Sequence, residues 1–256
     1  MSNVFVNNAL TRTIGQWWNR LLGAAKDGSF SDQDEMYASH RTSRDYICNM
    51  FGIATWGMVF PVLTVVITQL TNAELAGMFS LAFITATLLM MIGNYGVRTY
   101  QVSDIDERHS FADYEVNRFI TCALMMVVGV GYCMVRGYGG DMLTISIGVY
   151  FYRMIDALAD VYEGRLQKQD KFYLAGISQA VRSVLVVLFF SLALLITRNV
   201  GVASIVMAVV AALTFVFLTF PLGLIETPKS PRCTFESVVV IFKQCFPLFL
   251  AVFLFN

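Results

Sequence analysis

The sequence predicts an all-α integral membrane protein, a six-helix transmembrane bundle followed by the start of a seventh helix. Three observations predict it. Hydrophobic residues make up 57% of the 256 and charged residues only 14%, with a mean hydropathy of +0.62, whereas a soluble domain carries about 25% charge. Six runs stay apolar over the roughly 20 residues that cross about 30 Å of hydrocarbon. Lys and Arg collect in alternate connections between those runs.

The spans are read at 46–70, 75–93, 118–135, 142–161, 173–197 and 202–225. A seventh run begins near Phe246 and stops at Asn256, about half the length a crossing needs. A half-span leaves backbone groups unsatisfied in lipid, so the natural chain is expected to continue. The predicted organisation is a tail at 1–45, a six-helix lobe at 46–225, a linker or amphipathic segment at 226–245 and a truncated helix at 246–256.

Charge sets the orientation. Arg12, Arg20, Lys26, Arg41 and Arg44 precede the first span. Arg98, Arg108 and Arg118 border the second connection, Arg165, Lys168 and Lys171 the fourth, and Lys229, Arg232 and Lys243 follow the sixth span. The opposite side has Arg136 and Arg198. The positive-inside rule places the N-terminus in the cytoplasm. The tail has no continuous apolar stretch and is not a cleaved signal peptide. Ile14, Trp17, Trp18, Leu21 and Leu22 form one apolar helical face suited to the headgroup zone; a mostly disordered tail is the equal alternative. Residues 31–37 read as linker.

Punctuation supports the spans. Ser110 three residues before Asp113 is a capping-box pattern, and 137–140 is a glycine-rich turn. Pro61 and Pro247 lie within spans and are expected to kink them. The net charge of zero gives no polyanion footprint. The five cysteines, Cys48, Cys122, Cys133, Cys233 and Cys245, are scattered without a zinc or disulfide pattern. No enzyme signature, metal cluster or cofactor motif is present, and His40 and His109 fall outside the spans.

The informative residues are polar ones in the spans. In the fourth, Arg153, Asp156, Asp160, Glu163 and Gln167 fall within an arc of about 80° at 100° per residue. A charge in hydrocarbon costs roughly 2.5–3.5 kcal/mol on the most lenient scale, so this face must look inward. In the fifth, Gln179 and Arg182 share a face. Arg182 lies about 13 Å from its basic end, and Asp156 about 8 Å from the corresponding end of the fourth span. An arginine can snorkel across that difference, which makes Arg182 the expected partner of Asp156. Asn94, Arg98 and Arg118 add polar groups at the basic mouth. The sixth span, with only Ser204, Thr214 and Thr219 between Val202 and Pro221, reads as a lipid-facing wall. Spans two to five are thus expected to surround something polar. Asn94, Arg98, Arg118, Arg153, Gln179 and Arg182 are the candidate substrate-binding residues, suited to an anionic cargo. Asp156, Asp160 and Glu163 are the candidate pairing or coupling residues.

Several stretches resemble a known family. They are Phe60-Pro61, Thr68-Gln69-Leu70, Gly77-Met78-Phe79, the run from Gly93-Asn94-Tyr95-Gly96-Val97-Arg98 to Asp104, the run from Tyr152-Arg153 through Asp156 and Asp160 to Gly164, and Lys243-Gln244-Cys245-Phe246-Pro247. Over roughly 41–256 the chain looks like the first lobe of the polysaccharide-biosynthesis (Wzx-type) branch of the multidrug/oligosaccharidyl-lipid/polysaccharide exporter superfamily. The family's Arg-x-Leu-Gly after the first helix is here Gln69-Leu70-Thr71-Asn72, so no role of that arginine carries over. The resemblance implies a two-lobed flippase with a cavity between lobes that rocks by alternating access. Its cargo would be a polyprenyl-pyrophosphate-linked oligosaccharide in the cytoplasmic membrane of a bacterium or archaeon. Polysaccharide polymerase and glycosyltransferases are the partners it implies. Arginine forks suit phosphate oxygens. The acidic stripe either neutralises Arg182 or carries a coupling proton or sodium. Two other classes stay open: a cation-coupled drug exporter of the same superfamily, and a non-transporting scaffold of an envelope-synthesis complex. The scaffold reading expects a dry, fully paired core around Arg182.

Overall fold

The computed structural model describes residues 41–104, 108–225 and 234–255. The N-terminal amphipathic and linker expectations, and Lys229, Arg232 and Cys233, lie outside the described residues. Within them the chain is helical and holds no strand. The helices are α1 (Arg41–Leu70), α2 (Ala73–Asn94), α3 (Val97–Ser103), α4 (Phe111–Val135), α5 (Gly140–Lys168), α6 (Phe172–Thr197), α7 (Val200–Thr214), α8 (Phe220–Ile225) and α9 (Phe235–Phe255). Seven of the resulting rods are long and apolar enough to cross a membrane, α2 with α3 and α7 with α8 each counting as one. The protein is a multi-pass helical membrane protein.

Local sequence sets the breaks. Ser110 and Asp113 exchange the reciprocal bonds of a capping box at the start of α4, as their spacing predicts. Asn72 and Asn199 cap α2 and α7 with side-chain oxygens that accept from the amides of Leu75 and Val202. Gly137 and Gly140 take left-handed conformations in the turn between α4 and α5. A wide π turn, Phe215–Thr219, joins α7 to α8. Pro221 follows it. Proline has no amide to donate, and its ring would strike the carbonyl of residue 217, so the helix widens there.

α5 is the axis of the bundle. It packs against α2, α4, α6 and α7, and two-thirds of its apolar window is buried, the largest share of any span. α1 and α6 run parallel: Arg44 stacks on Tyr173 at one end, and Arg198 donates to the carbonyl of Leu70 at the other. They approach closely where Gly52 meets Gly176. A Cβ on Gly176 would lie 2.4 Å from the carbonyl oxygen of Cys48, so only glycine permits this crossing.

Three features extend or differ from the sequence expectation. α4 starts at Phe111, seven residues before the apolar span read from Arg118, where the capping box predicts a helix start. The last helix starts at Phe235, not Phe246, and runs 21 residues. Glu236, Lys243 and Gln244 interrupt the apolar run in sequence but continue the same helix, so 235–245 is not a separate linker. The run ending the sixth span is not simply a wall. Ala203, Ser204, Met207 and Ala211 are buried, while Ile205, Val209, Leu213 and Phe217 face outward. Its small residues let it press against α5 and α6.

Candidate functional site

The acidic face of α5 meets arginines from three other rods. Arg153, on α5 itself, contacts Asp156 at 3.3 Å. Asp156 accepts from Arg182 Nε of α6 at 2.9 Å. Arg182 reaches on through Nη2 to Glu163 at 2.9 Å. Glu163 is 3.8 Å from Arg98 of α3, and Arg98 donates to Asp160 at 2.7 Å. Asp160 also accepts from Arg118 of α4 at 2.9 Å. Seven charges therefore form one alternating chain, Arg153–Asp156–Arg182–Glu163–Arg98–Asp160–Arg118. It begins and ends on arginine and carries a net charge of +1.

Neutral groups fill most of the remaining bonds. The indole N–H of Trp56 donates to Asp156 at 3.0 Å. Arg153 donates to Thr87 and lies over the rings of Phe83 and Trp56. Arg182 Nη1 donates to Thr219, which also bonds Ser178. Arg118 donates to the carbonyl of Gly93 and to Asn94. Arg98 donates to Gln167. The Nε atoms of Arg153 and Arg118 have no partner. Charges in a low-dielectric interior persist only when paired and hydrogen-bonded in this way.

Every expected charged residue of the site is brought together, and the predicted Asp156–Arg182 pair is present. Asn94 joins through Arg118. Gln179 does not join: its side-chain oxygen sits at the α1–α6 crossing, 3.1 Å from where a Cβ on Gly52 would be. Arg118 is not at a solvated mouth. Its side chain is fully enclosed, because α4 begins two turns earlier and carries it about 10 Å inward. All six rods before α9 contribute, not only the second to fifth. The sequence assigns neither Trp56 nor Thr87 to the site, and it places Thr219 in a lipid-facing wall. Trp56 carried a usable signal, since a buried indole N–H requires an acceptor; a threonine in an apolar helix ordinarily bonds its own backbone, as Thr64 does.

The chain is open at the Arg98–Asp160 link. A cavity of about 250 Å³ lies between the α2–α3 break, α5 and α9. Asn94, Arg98, Thr99 and Asp160 give it a polar side, and Phe249 and Val252 of α9 an apolar one. The Arg98 side chain is 28% exposed, against 2% for Arg182. Among the described residues, no group of three or more His, Cys, Asp or Glu is arranged to hold a metal ion.

Fold and site define a multi-pass helical membrane protein built around a buried, alternating ion chain. No protein-family model matches the chain, and it has no significant match among curated proteins or solved structures.

Proposed function

We propose that the protein is a membrane exporter of the flippase type, moving a lipid-linked, pyrophosphate-bearing oligosaccharide across the cytoplasmic membrane of a bacterium or archaeon, with its N-terminus in the cytoplasm. The observation that carries this reading is the uncompensated positive charge of the ion chain, set beside the cavity at Arg98. An arginine with free donor capacity in a partly apolar recess suits an anionic head whose tail stays in lipid. Arg98 is then the residue that meets the head, while Arg118, Arg153 and Arg182 hold the carboxylates of α5.

The test is reconstitution in liposomes with a labelled polyprenyl-pyrophosphate oligosaccharide, beside complementation of a flippase-null strain. Arg98→Gln should cut transport at least tenfold in protein that remains folded. Transport of cationic dyes without oligosaccharide would transfer the reading to a drug exporter.

A scaffold without transport is the second reading, and one observation favours it. Arg182 is enclosed and all three of its nitrogens are bonded, the dry core such a scaffold requires. Loss of partner glycosyltransferases from the membrane on deletion, with no transport of any probe, would select it.

A further inference from the structure

We propose that α3 is a hinged arm that withdraws Arg98 from the ion chain, and that α9 is the latch that holds it in place. The claim concerns the protein's own motion and is independent of the cargo.

Charge arithmetic and position together single out Arg98: Arg153 could also leave Asp156 to Arg182, but it is only 5% exposed and sits on α5 itself. Without Arg98, Arg118, Arg153 and Arg182 face Asp156, Asp160 and Glu163, three against three. Each carboxylate also keeps an arginine: Asp160 keeps Arg118 at 2.9 Å, and Glu163 and Asp156 keep Arg182, each at 2.9 Å. Breaking a buried pair is costly because it strands a charge. Arg98 can leave without stranding one. Removal of Arg118 would leave Asp160 dependent on the partly exposed Arg98, and removal of Arg182 would leave Glu163 with a cation at 3.8 Å.

The backbone provides the hinge. Tyr95 and Gly96 are consecutive left-handed residues, at φ +44° and +69°, and they separate the seven residues of α3 from α2. Only glycine adopts such a conformation freely; a non-glycine residue there is uncommon and must be held by its surroundings. Tyr95 is held by α9. Its ring stacks on Phe249 at 4.9 Å and meets Phe242 edge-on at 5.4 Å. Gly96 lies against Leu248, and Tyr100 of α3 bonds Gln244.

The seat under α3 is incompletely satisfied. Gln101 donates to the carbonyl of Val161, but its own side-chain oxygen is buried without a partner. The arm is close to α5 only because residue 164 is glycine; a Cβ there would come within 3.0 Å of Gln101 and 3.1 Å of Arg98. The cavity beside Arg98 gives the displaced guanidinium somewhere to go.

The experiment places spin labels at Ser103 and Gln169 in a cysteine-free version of the whole chain in lipid nanodiscs, with a reference pair at Leu88 and Leu192. Pulsed dipolar spectroscopy reads both distances. Phe249→Ala, which loosens the latch, and Gly164→Ala, which wedges the seat, should each add a longer Ser103–Gln169 population, displaced by about one helical turn, ~5 Å. The reference pair should stay fixed. In parallel, Arg98→Gln should leave the yield of monodisperse protein within twofold of native, while Arg118→Gln lowers it at least tenfold. An unchanged Ser103–Gln169 distance in both variants overturns the hinge. So does a reference pair that moves with it, since α9 and Gly164 would then hold the whole bundle. Equal damage from Arg98→Gln and Arg118→Gln overturns the charge argument. None of these readouts depends on transport.

Discussion

Arg182 of α6 grips α5 through Asp156, with its Nε 2.9 Å from the carboxylate, and extends one guanidinium edge further to Glu163. One fork thus spans two carboxylates seven residues apart, two turns along the same helix face.

Truncation of Arg182 follows from that geometry. Arg182→Ala breaks two buried pairs at once, leaving Glu163 with Arg98 at 3.8 Å and Asp156 with Arg153 at 3.3 Å, and should destabilise the protein by about 3–5 kcal/mol. Arg182→Lys supplies a point charge in place of the fork and should fall between. Combining Arg182→Ala with Glu163→Gln removes the carboxylate left weakly paired, keeps Asp156 on Arg153 at 3.3 Å, restores the native net charge of the chain and should recover part of the loss. Thermal unfolding in detergent ranks the variants; a double variant no better than Arg182→Ala would contradict the pairing account. A simple exchange of Asp156 and Arg182 is not conservative here, because an aspartate at 182 would face Glu163.

The α1–α6 crossing makes a sharper steric prediction. Gly176→Ala places a methyl 2.4 Å from a backbone oxygen of Cys48, and backbone cannot rotate aside as a side chain can. Overpacking of this kind costs about 1–3 kcal/mol. Gly57→Ala, where a Cβ meets nothing within 4 Å, is the control and should unfold at the native temperature or slightly above. Equal behaviour of the two variants would mean the helices do not meet at Gly176.

Orientation is open to chemical labelling. Single cysteines at Thr71 and Gly139 should react with an impermeant thiol reagent applied outside intact cells, and one at Gln169 should react only after permeabilisation. The motive is the distribution of Lys and Arg among the connections. The reverse labelling pattern would invert the topology while leaving the fold untouched.

Acid should loosen the connection between α3 and α4. Burial alone would raise the pKa of Asp104, but a hydrogen bond from Tyr114 and bonds from the amides of Arg108 and His109 outweigh it and hold the carboxyl below its usual range. A carboxylate with a depressed folded pKa contributes stability that is complete above its unfolded value, about 3.9, and is lost as pH falls through the lower folded value. Asp104→Asn should therefore lower the melting temperature at pH 7 and converge with the native protein as pH drops below about 4. A difference that stays constant down to pH 3 would show that Asp104 acts through its shape rather than its charge.

The amino-acid sequence by itself determined the membrane class, the six spans before residue 226 and the acidic face of α5. Lipid permits only long apolar helices, and a 3.6-residue period puts residues 153, 156, 160, 163 and 167 on one side wherever the helix sits. It also determined the capping box at Ser110, because capping is a local bond between neighbours. The tertiary structure decided which cation meets which carboxylate. Asp160 could have paired with any arginine at its depth; it takes Arg98 and Arg118 because α3 and α4 both converge on α5 there. Tertiary packing also enclosed Arg118, enlisted Trp56 and Thr219 as bond partners, left Gln179 outside the chain, and set Arg98 at the cavity as a partly exposed arginine whose departure strands no carboxylate. Such outcomes depend on contacts between residues tens of positions apart, such as 118 with 160 or 56 with 156, and no periodicity within a single helix encodes which of several like side chains will arrive.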